Sequence, residues 1–362
     1  PGAEFQTPEC VMVYSQNGLG GMSRIFHRLF LNHLIPKQWA ARPQPILLNS
    51  GEAQYFDVSH DAITEMAMEA NKLGIEMIVL DDGWFGKRND ANSSLGDWFP
   101  NRDKFPFGIR GCAHSIESMG MKMGLWFEPE MVSTDSELYR AHPDWCLHVP
   151  GRPSQRGRNQ LVLDMGRADV RAYLLKKISK ILKSASISYV KWDMNRYLTE
   201  VFSLQLQKAN QGEASHRFMM GTYELLHSFV TAFPDLLLET CSGGGGRFDP
   251  GMLYYSPQIW TSDNTDAMNR VPIQYGTSLL YPARCMGSHY SVSPNHITMR
   301  QCRSRTRAFV AMCGTFGFEL NLHTIPMDER KMIPQYIRVH REVREIVNSG
   351  DLFRLWSPSD AP

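Results

Sequence analysis

A (β/α)8 barrel is the fold class that the sequence predicts, and three observations predict it. Short apolar runs ending in polar or acidic residues alternate with helical periods along the chain, and such alternation makes βαβ units and a parallel sheet. Eight such units fit within the 362 residues, a length that suits a barrel of roughly 250 residues with insertions. The rival class, a doubly wound open sheet, carries a glycine-rich turn after its first strand, and "LLNSGEAQYF" is not one.

The elements run in order. "PILLNS" (45–50) reads as the first strand and "DAITEMAMEANKLG" as its helix. "IEMIVLDDGW" (75–84) is the second strand, followed by a loop and the helix "GIRGCAHSIESMG". "MKMGLWFEPE" (121–130) and "QLVLD" (160–164) are the third and fourth. After them "VRAYLLKKISKILKSASI" spaces its apolar residues three and four apart, as an amphipathic helix does. "ISYVKWD" (187–193), the helix "HRFMMGTYELLHSFVTAF", "LLLETCSGG" (236–244), "QIWTSD" (258–263) and "RCMGSHY" (284–290) complete the set. Residues 1–325 are expected to form the barrel with a lead-in segment. Residues 326–362 are expected to hold a terminal helix and the start of a further domain.

Composition excludes several classes of partner. A net charge of +1 gives no steering toward nucleic acid or an anionic membrane. The one basic run, "RQCRSRTR" with Arg300, Arg303, Arg305 and Arg307, lacks interleaved aromatics and reads as a solvated or domain-contacting helix face. No apolar run reaches the ~18 residues of a membrane span. The opening "PGAEFQTPEC" lacks the regions of a signal peptide and reads as a linker. Seven scattered cysteines without a CxxC pair argue against a disulfide framework, so a reducing cytoplasm is the simplest setting.

In such a barrel the C-terminal strand ends carry the active site. Here those ends combine carboxylates with indoles: Asp81 and Asp82 with Trp84, Trp126 with Glu128 and Glu130, Trp192 with Asp193, and Trp260 with Asp263. Carboxylates accept hydrogen bonds from hydroxyls, and indole faces suit the C–H side of a sugar, so the pattern points to a polyhydroxylated ligand. Glu128 and Glu130 fit barrel core or helix N-caps equally well. Lys191 and Asp193 lie two apart on one strand and share a face. A lysine beside a carboxylate favours its ionised form, which a glycosidase nucleophile requires. Asp263, two strands on and beside Trp260, is the candidate for the opposing acid. Asp266 reads as a loop or N-cap residue. "CSGGGGRFD" (241–249) lacks the spacing of a phosphate loop. Its glycines are expected to let the backbone approach a ligand, with Cys241 as a small pocket-lining residue. His289 and His296 lack metal-ligand spacing, and no metal site is expected.

"LDDGWFGKR", "LWFEPEMV", "GRNQLVLD", "YVKWDMNR", "CSGGGGRFD" and "IWTSDNTDA" together resemble the bacterial α-galactosidases of glycoside hydrolase family 36, from the first residues to the final helix. The resemblance implies a retaining hydrolase that releases terminal α-linked galactose from melibiose or raffinose-type oligosaccharides. It implies Asp193 as nucleophile and Asp263 as acid/base. It sets Asp81 and Asp82 on the galactose hydroxyls, with Trp126, Arg158, Lys191, Asn195, Cys241, Gly244 and Trp260 lining the pocket. It implies no metal or organic cofactor, and family members are commonly tetrameric and often cytoplasmic. The family also carries β domains before and after the barrel. Three positions depart from its pattern: Gly51 in "NSGEA" where tryptophan is usual, Met299 in "TMR" where glycine is usual, and Asn321 in "FELN" where aspartate is usual. Gly51 is read either as a lost sugar platform or as a glycine needed for a left-handed φ. Galactosyl transfer, α-N-acetylgalactosaminide hydrolysis and a non-catalytic galactoside-binding barrel are the alternative functions.

Overall fold

The structure, a computed structural model, describes residues 2, 4 and 6–360; Pro1, Ala3 and Phe5 of the lead-in, and Ala361 and Pro362, lie outside the described residues. Among the described residues the ten strands are β1 Leu47–Asn49, β2 Met77–Leu80, β3 Lys122–Phe127, β4 Met131–Ser133, β5 Gln160–Val162, β6 Tyr189–Trp192, β7 Leu237–Thr240, β8 Gln258–Trp260, β9 Met286–Ser291 and β10 Thr315–Glu319. Eight of them close into a parallel barrel in the order β1-β10-β9-β8-β7-β6-β3-β2.

The expected fold class is therefore correct, and seven of the eight expected strands, "RCMGSHY" (β9) among them, lie in the barrel; one does not, and one barrel strand was not expected. "QLVLD" is not a barrel strand. It forms β5, which pairs antiparallel with β4 as a separate two-stranded ribbon between β3 and β6. A buried three-residue apolar run looks the same in either setting, because burial and β-propensity do not encode the partner. The true eighth strand is β10, "TFGFE", which bonds to both β9 and β1. The short helix Ser304–Ala311 separates it from β9. That helix begins within the basic run, whose Arg307 is not on a solvated face. Arg307 is buried, pairs with Glu329 at 2.6 Å and donates to the Ser291 carbonyl.

Helices His60–Leu73, Gly108–Ser118, Ala168–Ser184, Ala214–Ala232, Pro250–Leu253, Ala267–Thr277, Ser304–Ala311 and Met327–Ser349 follow the barrel strands in turn. The first shows why the chain folds this way. Ser59 caps it by accepting from Ala62 N, Gly74 ends it in the left-handed region, and Ile63, Met66, Ala67 and Ala70 form its buried stripe. Full burial of a side chain such as Ile63 stabilises by about 1.5–3 kcal/mol. The last helix buries Ile333, Tyr336 and Ile337 in the same core as the strands.

Inside the barrel, Leu47, Met77, Val79, Tyr189 and Leu237 pack as a small apolar cluster. Two residues further along their strands stand Asn49, Asp81, Lys191 and Glu239, all buried and polar. Because side chains alternate along a strand, this switch places a polar layer toward the C-terminal mouth. Gly317 makes room in it: a Cβ there would meet the His289 ring at 2.6 Å.

Candidate active site

Asp193 follows directly on β6, buried. Three N–H donors hold its carboxylate. Met194 N reaches Oδ1 at 2.8 Å, while Asn195 Nδ2 at 2.6 Å and Trp126 Nε1 at 3.1 Å both reach Oδ2. Asn195 is itself pinned, accepting from Arg158 Nη1 at 2.5 Å on its own amide oxygen. Arg158 and Asn159 both adopt left-handed φ, of 50° and 63°, a strained course that brings Arg158 over the nucleophile side.

Asp263 lies beyond β8 and is exposed at the open side of the pocket. Its Oδ1 accepts from Trp260 Nε1 at 3.1 Å. Desolvation by the surrounding protein, and then the negative charge of Asp193, push its carboxyl above the ordinary aspartate range, with Lys191 and Arg158 opposing. The Cys241 thiol stands between the two carboxyls. Its Sγ is 3.9 Å from Asp263 Oδ1 and it also bonds Asp193. Burial and those two carboxylates push the thiol well above its usual range, so it stays an S–H and not a thiolate nucleophile.

Asp81 anchors the neighbouring wall. Its Oδ2 accepts from Asn49 Nδ2 at 2.8 Å and from Lys191 Nζ at 3.1 Å. Burial works against the Lys191 ammonium, yet Asp81 and then Glu319 outweigh it and keep the lysine protonated. Lys191 feels the charge of Asp193, as expected of two residues on one strand face, but its hydrogen-bond partner is Asp81. Asp82 points elsewhere, gripped by buried Arg88 through Nε at 3.0 Å and Nη2 at 2.8 Å, with a fifth of its side chain exposed.

Gly244 shapes the acid side. Its φ is +85°, and a Cβ there would lie 2.7 Å from Asp263 N and 2.9 Å from Ser262 Cα. The glycine-rich loop therefore closes on the backbone that carries Asp263, and only a residue without a side chain allows that approach. Among the described residues no cluster of His, Cys, Asp and Glu side chains is placed to hold a metal ion.

The sequence profile of the melibiase family matches residues 4–350. The chain belongs to the melibiase family. Among the melibiases it is 53% identical to alpha-galactosidase AgaA of Geobacillus stearothermophilus over 99% of its own length and 49% of that protein. It is 49% identical to alpha-galactosidase Mel36A of Lactobacillus acidophilus over 98% of its length and 48% of that protein. A crystal structure of a variant of AgaA in complex with raffinose matches 96% of the chain and 48% of that one, at 52% identity and a TM-score of 0.94. A second AgaA variant, in complex with stachyose, matches 98% and 49% at a TM-score of 0.96. The chain spans about half the length of the curated melibiases it matches.

Against the melibiase motifs, the structure brings Asp81, Trp126, Arg158, Lys191, Asp193, Asn195, Cys241, Gly244, Trp260 and Asp263 around one strand-end mouth, and leaves Asp82 on Arg88. The indoles do other work than expected. Trp84 and Trp192 are fully buried, and their N–H groups serve the Trp126 carbonyl and Glu130. Trp260 packs against the Arg270 guanidinium at 4.5 Å and the His289 ring at 4.5 Å, while its N–H holds Asp263. Glu130 is no helix cap: it lies in a buried bidentate pair with Arg247 at 2.8 and 3.0 Å. Asp266 is an N-cap, accepting from Met268 N.

Sequence reasoning missed Asn49, Arg88, Gln160 and the buried His289–Glu319 pair at 2.5 Å. Asn49 was visible as a polar residue closing an apolar strand; the others needed the fold. Gly51 does not adopt a left-handed φ, so that explanation is excluded. A Cβ there would meet Asn49 Oδ1 at 3.2 Å and Asp81 Cγ at 3.3 Å, so a larger side chain presses on the Asp81 wall. Met299 does take a left-handed φ of 57°, the conformation that the usual glycine tolerates.

Proposed function

We propose that this chain is the catalytic barrel of a retaining α-galactosidase that cleaves terminal α-linked galactose from melibiose and raffinose-type oligosaccharides. The observation that carries the reading is the pair Asp193 and Asp263 in contrasting settings. One carboxylate is gripped by three N–H donors, and the other is desolvated and raised in pKa by its neighbour. Two carboxyls held in such different surroundings divide into nucleophile and acid.

An Asp193 oxygen attacks the anomeric carbon as the bond to the leaving oxygen breaks, and Asp263 gives that oxygen its proton. A galactosyl ester on Asp193 results. Its formation removes the negative charge that, after burial, raises the Asp263 pKa, so Asp263 becomes a better match for its second task. It then takes a proton from water, whose oxygen attacks the anomeric carbon and frees Asp193. Two inversions give net retention. Trp126 and Asn195 orient the nucleophile, Trp260 orients the acid, and Asp81, held by Lys191 and Asn49, offers carboxylate oxygens to the sugar hydroxyls, with Arg158, Cys241 and Gly244 completing the pocket.

The α-galactosidases named among the relatives, and the raffinose and stachyose in two AgaA complexes, support this substrate class. A cytoplasmic setting is supported by seven scattered, unpaired cysteines, and a tetramer by the family resemblance alone. The test is turnover of an aryl α-galactoside with galactose binding measured beside it. Turnover with binding supports the reading, and binding without turnover would make the chain a galactoside-binding barrel.

A further inference from the structure

We propose that Glu128 is a positioning residue for the nucleophile, acting through Asn195; the inference rests on the hydrolase reading above. Glu128 follows β3 and shares a strand face with Trp126, and it is buried. Its Oε1 accepts from Asn195 N at 2.5 Å and from Gln160 Nε2 at 2.6 Å. Asn195 in turn donates from Nδ2 to Asp193 Oδ2 at 2.6 Å. One face of β3 therefore reaches the nucleophile twice, directly through the Trp126 indole and indirectly through the Glu128 carboxyl.

The β4–β5 ribbon has a purpose in this arrangement. It delivers Gln160 against Glu128, while Arg158, two residues earlier, holds the other end of Asn195. Arg196 closes the assembly by donating to the Gln160 carbonyl at 3.0 Å. Asn195 is thus fixed at its backbone N–H, its amide oxygen and its amide nitrogen, and Asp193 inherits that fixed position.

The protonation state fits the same role. Burial first, and then the charge of Asp193, push Glu128 up to about 8. The charged groups it faces are Asp193 from the end of β6 and Asp82 from the end of β2, the latter paired with Arg88; its other contacts, Gln160 and Asn195, are neutral. At neutral pH Glu128 is a carboxylic acid whose carbonyl oxygen accepts two N–H groups. It adds no second negative charge beside the nucleophile. Ionisation on the alkaline side introduces that charge and opposes the departure of the Asp193 carboxylate from the galactosyl ester.

The experiment pairs Glu128→Ala with Glu128→Gln, which keeps the carbonyl acceptor and cannot ionise. Near pH 6, Glu128→Ala should lower kcat on an aryl α-galactoside by about 10- to 100-fold with KM little changed. Glu128→Gln should recover most of that loss and move the alkaline limb of the profile upward. A second readout needs no turnover. An acid whose folded pKa is raised costs stability as pH rises from its unfolded value toward the folded one. The unfolding midpoint of Glu128→Gln relative to wild type should therefore climb between about pH 5 and about pH 8. An Asp193→Asn background should shrink that gap. If Glu128→Gln is as impaired as Glu128→Ala, or if Asp193→Asn leaves the gap unchanged, the proposal is overturned. If the wild-type chain turns over no galactoside, the hydrolase reading fails, and the stability comparison alone decides whether Glu128 is coupled to Asp193.

Discussion

The two sides of the pocket hold the same residue type in opposite ways. On the β6 side, Asp193 is buried and receives three N–H donors, one of them from an asparagine fixed by Arg158 and by Glu128. On the β8 side, Asp263 is exposed, receives one indole N–H and lies 3.9 Å from a thiol. Each carboxyl is reached by a tryptophan, Trp126 or Trp260, so the indole is common to both and cannot be what separates them. The difference lies in the number of donors and in access to solvent. A group that must stay anionic and fixed is wrapped in donors. A group that must exchange a proton with a leaving oxygen, and then with water, keeps an open side.

The comparison breaks most sharply at the nucleophile. Asp193→Ala should lower kcat by several orders of magnitude, and azide should restore turnover with inverted stereochemistry, both read from product formation by NMR. On the other side, Asp263→Ala should cost far more on substrates with poor leaving groups than on activated aryl galactosides. Equal losses on both classes would remove Asp263 from the acid role.

The two indoles then give a matched pair with smaller effects. Trp126→Phe deletes a hydrogen bond to a charged group, a loss of about 1.5–3 kcal/mol, and should lower kcat roughly 10- to 100-fold. Trp260→Phe deletes a donor that favours the ionised form of Asp263, so the already raised pKa should rise further. The alkaline limb of kcat/KM should then move to higher pH, and a downward move would contradict the assigned hydrogen bond. The smallest effect lies away from both carboxyls. Met299 is exposed at a φ of 57°, and relief of that conformation by Met299→Gly should raise stability by about 1 kcal/mol in denaturant titrations, with kcat unchanged.

The barrel and its carboxylates were legible in the sequence because strand, polar end and helix repeat in register, and because alternation puts Lys191 and Asp193 on one face. What remained hidden depended on partners distant in the chain. Lys191 bonds Asp81, 110 residues away, and not the aspartate two residues on. Gln160 was legible as part of an apolar run and illegible as the prop of Glu128, 32 residues before it. The sequence pairs Trp84 and Trp192 with strand-end carboxylates as if they were sugar platforms, but both are fully buried and their N–H groups serve partners inside the protein. β10 escaped notice because an arginine-rich helix precedes it, and its Arg307 is paired to Glu329 only once the last helix docks.

The division of labour between the two carboxyls is tested most directly by trapping the intermediate. The chain would be incubated with a mechanism-based α-galactosyl fluorosugar, digested, and its labelled peptide sequenced by mass spectrometry. The account predicts one galactosyl ester per chain, on Asp193 within "YVKWDMNR". A label on Asp263, Asp81 or any other residue would contradict it.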